Sequence, residues 1–221
     1  MSAADWDLIA LSVRVAIVAV ACSLPIGIAI AFFLARGQFP GHGALNVLVH
    51  LPLVLPPVVT GYLLLLAFGA NGPVGRVLEP IGLGIAFRWT GAALAAAVMS
   101  FPLMVRAIRL GFEAVDPKLE EAARTLGASN WRVFLTISLP LAAPGLLAGT
   151  AIAFAKALGE FGATITFVSN IPGQTQTIPT AIYAALQIPG AEPTAFRLIL
   201  ISIAISTAAL VLSEFLARRG R

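Results

Sequence analysis

Long apolar runs separated by short clusters of charge set the pattern of this chain. Residues 15–35 carry no charge, 37–75 none apart from two histidines, and 89–105, 133–155 and 198–213 none at all. A membrane crossing needs roughly 20 mostly apolar residues. The runs therefore predict five helical spans, near 10–35, 45–70, 86–108, 139–160 and 196–216. The first is not a cleaved leader, because its start is acidic (Asp5, Asp7) and its apolar run is too long. Proline interrupts two of them: Pro25 in the first, and Pro52, Pro56 and Pro57 in the second. Each ring removes a backbone donor and bends the helix. Such bends either serve a transporter as pivots or are shape alone, with neighbouring helices satisfying the freed carbonyls.

Composition agrees with this pattern. Of the 221 residues, 59% are hydrophobic and 11% charged, and the mean hydropathy is +0.95. Soluble domains carry about 25% charge, so the fold class is an all-α, polytopic transmembrane bundle. The whole chain, 1–221, reads as one membrane domain. Cys22 is the single cysteine, and two histidines, His42 and His50, cannot build a metal site alone. His50, in an apolar run, reads as a hydrogen-bonded packing residue.

The basic excess, 14 against 10, acts on orientation and not on nucleic acid, since no basic tract with interleaved aromatics exists. Five spans put the termini on opposite sides. With the C-terminus inside, the inner face receives Arg36, Arg106, Arg109, Lys118, Arg124, Arg132, Arg218, Arg219 and Arg221. The outer face receives Arg14, Arg76, Arg88 and Arg197. The positive-inside rule therefore places the N-terminus outside and the C-terminus in the cytoplasm.

One sizeable polar region remains, 106–138, on the cytoplasmic side. Asp116-Pro117 reads as an N-cap followed by proline at the first helical position. Glu120 lies near the positive end of that helix. The helix stops at Gly127, a left-handed C-cap, and Ser129 caps a second short helix that ends at Pro140, where the fourth span begins. Two short amphipathic helices hinged on glycine suit a groove on another protein.

Glu121-Ala122-Ala123, three residues, Gly127, nine residues, Ile137, one residue, Leu139-Pro140 resembles the EAA motif of bacterial ABC importer permeases. The motif stands, as in that family, in the cytoplasmic loop before the penultimate span. The resemblance implies the type I ABC importer permease fold, with 113–140 as a coupling loop docking on a separate ATPase subunit. Glu120, Glu121, Ala122, Ala123, Gly127, Trp131, Leu139 and Pro140 would form that contact: small alanines for close approach, Glu121 for the ATPase, Gly127 for the turn. A narrower resemblance, to the molybdate permeases, covers nearly the whole chain through LPLVLPPVVTGYLLL, MSFPLMVRAIRLGFEAVD and LGEFGATITFVSNIPGQTQTIPTAIY. The sulfate/thiosulfate permeases share the LGEFGA-like stretch more loosely and are the alternative. The likeness further implies two ATPase subunits holding ATP and Mg, a periplasmic molybdate-binding protein, an inner-membrane location, and no cofactor bound by this chain.

Within the bundle, Gly145, Gly149, Ala153 and Ala157 form a small-residue row that permits close helix approach, inside the chain or between copies. Ala92, Ala96 and Ser100 make a similar row. Lys156 and Glu160 stand at i and i+4, so they pair with each other or line a gate. Arg106 and Arg109 either anchor the third span or face the pathway exit. Residues 162–195 are too polar for a span and too apolar for a free loop, which predicts short segments folded back on the bundle as a pathway wall or a packed cap. Thr164, Ser169 and Asn170 there, with Phe161 just before it and Pro56 and Thr60, join Lys156 and Glu160 as pathway candidates.

No phosphate-binding Gly-Lys-Ser/Thr loop, HExxH or Ser-His-Asp set is present, so the chain reads as a transport subunit without catalytic residues. An ion-coupled secondary transporter is the competing class. It would want intramembrane carboxylates and commonly an internal repeat. Glu160 and Glu214 are the only acids near the spans, and no clear repeat stands out. Five spans are too few to enclose a pathway, so a homodimer with one path at its two-fold interface is expected.

Overall fold

A computed structural model describes residues 3–37 and 39–219. Arg221, counted above on the inner face, lies outside them. The described residues are helical, without strands. The helices are α1 (Ala3–Arg36), α2 (His42–Val54), α3 (Pro57–Phe68), the single turn α4 (Gly75–Leu78), α5 (Trp89–Glu113), α6 (Pro117–Thr125), α7 (Asn130–Leu141), α8 (Ala143–Leu158), α9 (Gly162–Val168), α10 (Ile178–Leu186) and α11 (Glu192–Arg219).

Three helices, α1, α5 and α11, are long and apolar enough to cross a membrane alone; two bent pairs, α2 with α3 and α7 with α8, make up to five crossings if each pair is counted as one span. The first, third and fifth expected spans are single helices, and the second and fourth fall on the bent pairs. The second is broken outright: α2 and α3 meet at 112° across Leu55-Pro56. Pro57 opens α3 at its first position, where its missing N–H costs nothing. Pro25 and Pro52, by contrast, interrupt nothing: α1 runs unbroken from Ala3 to Arg36, and Pro52 lies inside α2. The expected start of the fourth span near Leu139 falls at a bend: Leu139 and Pro140 lie in the last turn of α7, which turns by 68° into α8 at Ala143. A π turn at Phe134–Ser138 precedes Pro140, whose ring cannot donate to the carbonyl one turn back.

The most buried span is α5, which packs along α1 on one side and α8 on the other. Its small residues make this possible: Ala92, Ala96 and Ser100 are fully buried. The small-residue row of α8 is likewise an internal contact. A methyl group on Gly145 would stand 2.6 Å from Gly111 Cα and 3.1 Å from the Ala107 carbonyl oxygen, and one on Gly149 would stand 3.0 Å from the Met104 carbonyl oxygen. Where packing is the main attraction between helices, such approach is what holds them. Gly145→Ala should therefore destabilise the bundle by about 1–3 kcal/mol, the usual range for overpacking. Gly43→Ala, where nothing lies within 4 Å, should not. Melting of the two purified variants checks this; equal transitions would reject α5–α8 close packing.

Opposite ends of the bundle carry different contacts. At one end, Arg36, the start of α2, the end of α5, and α6–α7 come together. At the other, Arg197 pairs with Asp5 at 3.1 Å and the Arg14 guanidinium lies 3.9 Å over the Trp89 ring. Arg36 and Arg109 of the inner group thus lie at one end, and Arg14 and Arg197 of the outer group at the other. Segment 162–195 does fold back, as α9 against α3 and α5 and α10 against α11.

Candidate functional site: the loop helices and the broken spans

The α6–α7 loop is built by caps that the sequence spells out. Asp116 Oδ1 accepts from Lys118 N at 3.0 Å, and Ser129 Oγ accepts from Arg132 N at 3.4 Å. Gly127 has φ +87°, the left-handed region. Gly127 N–H donates to the Arg124 carbonyl and Ala128 N–H to that of Ala123. This double bond pattern is the Schellman closure, which needs a residue without Cβ penalty at its hinge.

Glu120 and Glu121 have opposite environments. Glu121 is exposed, as are Ala122 and Gly127, while Ala123 is half-buried. Glu120 is 3% exposed and sits at the centre of a network. Its carboxylate accepts from Ser138 Oγ at 2.8 Å and from Arg36 Nε at 3.2 Å, with Arg124 Nη2 at 3.6 Å. Arg36 also donates through Nη2 to the Val115 carbonyl at 2.7 Å. One buried carboxylate thus ties the end of α1 to both loop helices. Beneath it, the Phe32 ring meets Phe112 at 5.3 Å and Phe134 at 4.9 Å, joining α1, α5 and α7 through apolar contact. Sequence reading missed Arg36 and Ser138 as partners of the loop.

The solvent face of the loop is apolar where a soluble surface would be polar. Leu126 is 88% exposed, Trp131 68% and Leu119 49%, on either side of Gly127 in the chain. Trp131 stacks on Phe134 at 5.5 Å, which fixes its ring while leaving one face open. Leu119 and Leu126 were not singled out by sequence; their exposure at the polar end of a membrane protein is the missing signal. Leu139 is half-buried and Pro140 exposed, both at the base of α7.

A second group lies where the broken spans touch. A methyl on Gly61 would stand 2.5 Å from the Ala163 carbonyl oxygen and one on Gly162 2.7 Å from Pro57 Cβ, so α3 and α9 meet backbone to backbone. Lys156 Nζ donates to Glu160 Oε2 at 2.6 Å, and Glu160 Oε1 accepts from Ala163 N at 3.0 Å. Glu160, 2% exposed, therefore closes an ion pair and caps α9 at once. Thr60 and Thr164 are buried nearby and Pro56 ends the break between α2 and α3. The Phe161 ring meets Tyr183 at 5.0 Å. Ser169, at φ +66°, and Asn170 belong to the far end of α9, apart from this group. Among the described residues, Thr60 Oγ1 and Asn170 Oδ1 are the buried side-chain polar atoms lacking a hydrogen-bond partner. His50 bonds the Asn46 carbonyl within its own helix.

Comparison with known proteins gives the family of this bundle. Residues 23–221 match the family described as binding-protein-dependent transport system inner membrane component. The chain belongs to that family. It is thus a multi-pass inner-membrane component of a transport system. It is 59% identical over 218 residues to the molybdenum transport system permease protein ModB of Escherichia coli strain K12, covering 98% of this chain and 95% of that one. Against the sulfate transport system permease protein CysW of Synechococcus elongatus, identity is 36%, over 97% of this chain and 75% of the relative. Among solved structures, a bacterial ABC transporter involved in alginate import superposes with a TM-score of 0.76 at 19% identity, covering 99% of this chain and 80% of that chain. The fold is that of type I ABC importer permeases.

Proposed function

We propose that this chain is the permease subunit of an ATP-driven importer of molybdate, working as a homodimer with the transport path at its two-fold interface. The α6–α7 loop docks in a groove of a separate ATPase subunit, two copies of which hold ATP and Mg, and a periplasmic molybdate-binding protein delivers the ion. The N-terminus then faces the periplasm and the C-terminus the cytoplasm, in keeping with the basic residues gathered at the loop end. The observation that carries coupling is the exposure of Leu119, Leu126 and Trp131 in the α6–α7 loop, on either side of a positive-φ glycine with nothing within 4 Å of its missing Cβ. Such a surface is complete only against a partner.

Molybdate is favoured over sulfate because identity to the molybdenum permease is 59% and to the sulfate permease 36% at similar coverage of this chain. The pair Lys156–Glu160 acts here as a structural ion pair that fixes the start of α9; its internal compensation leaves little field for an anion in the path. A strain lacking this gene should lose molybdoenzyme activity and regain it when external molybdate is raised. Sulfur auxotrophy with intact molybdoenzymes would replace molybdate by sulfate as the cargo.

A further inference from the structure

A cavity of about 320 Å³ opens where α2 passes the loop end of α5, lined by Asn46, His50, Arg106, Arg109, Leu110 and Glu113. Two guanidinium groups and one carboxylate face it. The carboxylate is already engaged: Glu113 Oε1 accepts from Arg109 Nε at 2.7 Å. Arg109 Nη1 also donates to Asn46 Oδ1 at 3.2 Å, so that side chain is tethered at two points and its charge is largely compensated. His50 Nδ1 donates to the Asn46 carbonyl at 2.8 Å. Arg106 is different: it is exposed and makes no ion pair or hydrogen bond with any described residue.

The cavity therefore has a net positive charge, a free guanidinium fork, and the amide nitrogen of Asn46, whose oxygen is occupied by Arg109. Positive-inside anchoring explains the sign of Arg106. It does not explain why two neighbouring side chains are cross-tied so that a space beside Arg106 stays open. A fork of N–H donors matches two oxygens of a tetrahedral anion, and such charge-assisted bonds are the strong ones.

We infer that this cavity binds one tetrahedral oxyanion, held by the Arg106 guanidinium and the Asn46 amide. The anion arrives either as the transported ion leaving the pathway or as the phosphate of an anionic lipid. The first source rests on the cargo reading above; the site itself does not.

Arginine modification by phenylglyoxal, read at peptide level by mass spectrometry, tests it on the full chain purified with its partner subunits. In nanodiscs of phosphatidylcholine, molybdate added at constant ionic strength to about ten times its half-protection concentration should slow labelling of Arg106 about tenfold. Arg76, exposed at the opposite end, should label unchanged. Equal protection in phosphatidylglycerol discs without molybdate would identify the lipid phosphate as occupant. Asn46→Leu should raise the molybdate concentration for half-protection about tenfold; an unchanged value would remove the amide from the site. Arg106 labelling that responds to neither molybdate, sulfate nor phosphatidylglycerol would overturn the proposal. Failure of the cargo reading alone would appear in the growth experiment and leave this protection intact.

Discussion

A Gly127→Val permease is expected to reach the membrane at the wild-type level, to lose its ATPase on purification, and to take up almost no molybdate. The reason is local. Gly127 holds φ +87°, and a residue with Cβ pays about 1–2 kcal/mol to stay there. Valine, branched at Cβ, is among the worst to place in this region. The Schellman closure at Ala123 and Arg124 would open, and the angle between α6 and α7 with it. No described residue lies within 4 Å of the added carbon, so the bundle itself has no clash to resolve. The damage is therefore expected in the α6–α7 loop and the surface it offers to the partner, not in the spans. Gly127→Asn, which tolerates the left-handed region, should retain coupling. Leu126→Asp supplies an independent arm: at 88% exposure the side chain contributes little to the fold, yet a charge there would sit in the proposed contact. Co-purification of the ATPase with the Gly127→Val and Leu126→Asp chains, together with normal uptake, would remove the loop from coupling.

What the sequence makes legible here is whatever depends on near neighbours. Charge-free runs locate the five crossings because the bilayer excludes charge over a known length. Asp116, Gly127 and Ser129 announce the loop helices because each cap bonds within a few residues of itself. The break at Pro56-Pro57 is equally local, but its 112° angle is not. That angle follows from α3 lying against Gly162 and Ala163, a hundred residues on in the chain. Pro25 shows the limit from the other side: the same residue type that ends α2 is absorbed inside α1. The small-residue row on α8 could be read as a contact surface, yet only its neighbour Gly111 shows that the contact is internal. Least legible is the pairing of Arg36 with Glu120, 84 residues apart. Arg36 reads as an interfacial anchor and Glu120 as a helix-dipole partner, and neither reading contains the other residue.

That pair sets the second large effect. Glu120→Ala should loosen the loop helices from α1 and lower stability by about 2–3 kcal/mol. The carboxylate is nearly fully buried and accepts from both Arg36 and Ser138, so its removal leaves two donors at the base of the loop without an acceptor. Breaking one partner of a buried pair costs about 3–5 kcal/mol. The lower figure applies because the Arg36 side chain keeps 19% of its exposure and a second acceptor in the Val115 carbonyl. Glu120→Gln keeps the shape and one acceptor oxygen, so it should cost about half as much. Thermal unfolding orders the variants, and limited proteolysis locates the change: cleavage should appear between residues 114 and 142 while the spans remain protected. A cycle with Arg36→Ala should show coupling of about 1–2 kcal/mol, since the same interaction is lost in each single variant. Coupling near zero, with the loop as protease-resistant as wild type, would mean that the aromatic contacts of Phe32, Phe112 and Phe134 alone hold the loop on the bundle. The carboxylate would then be dispensable to its position.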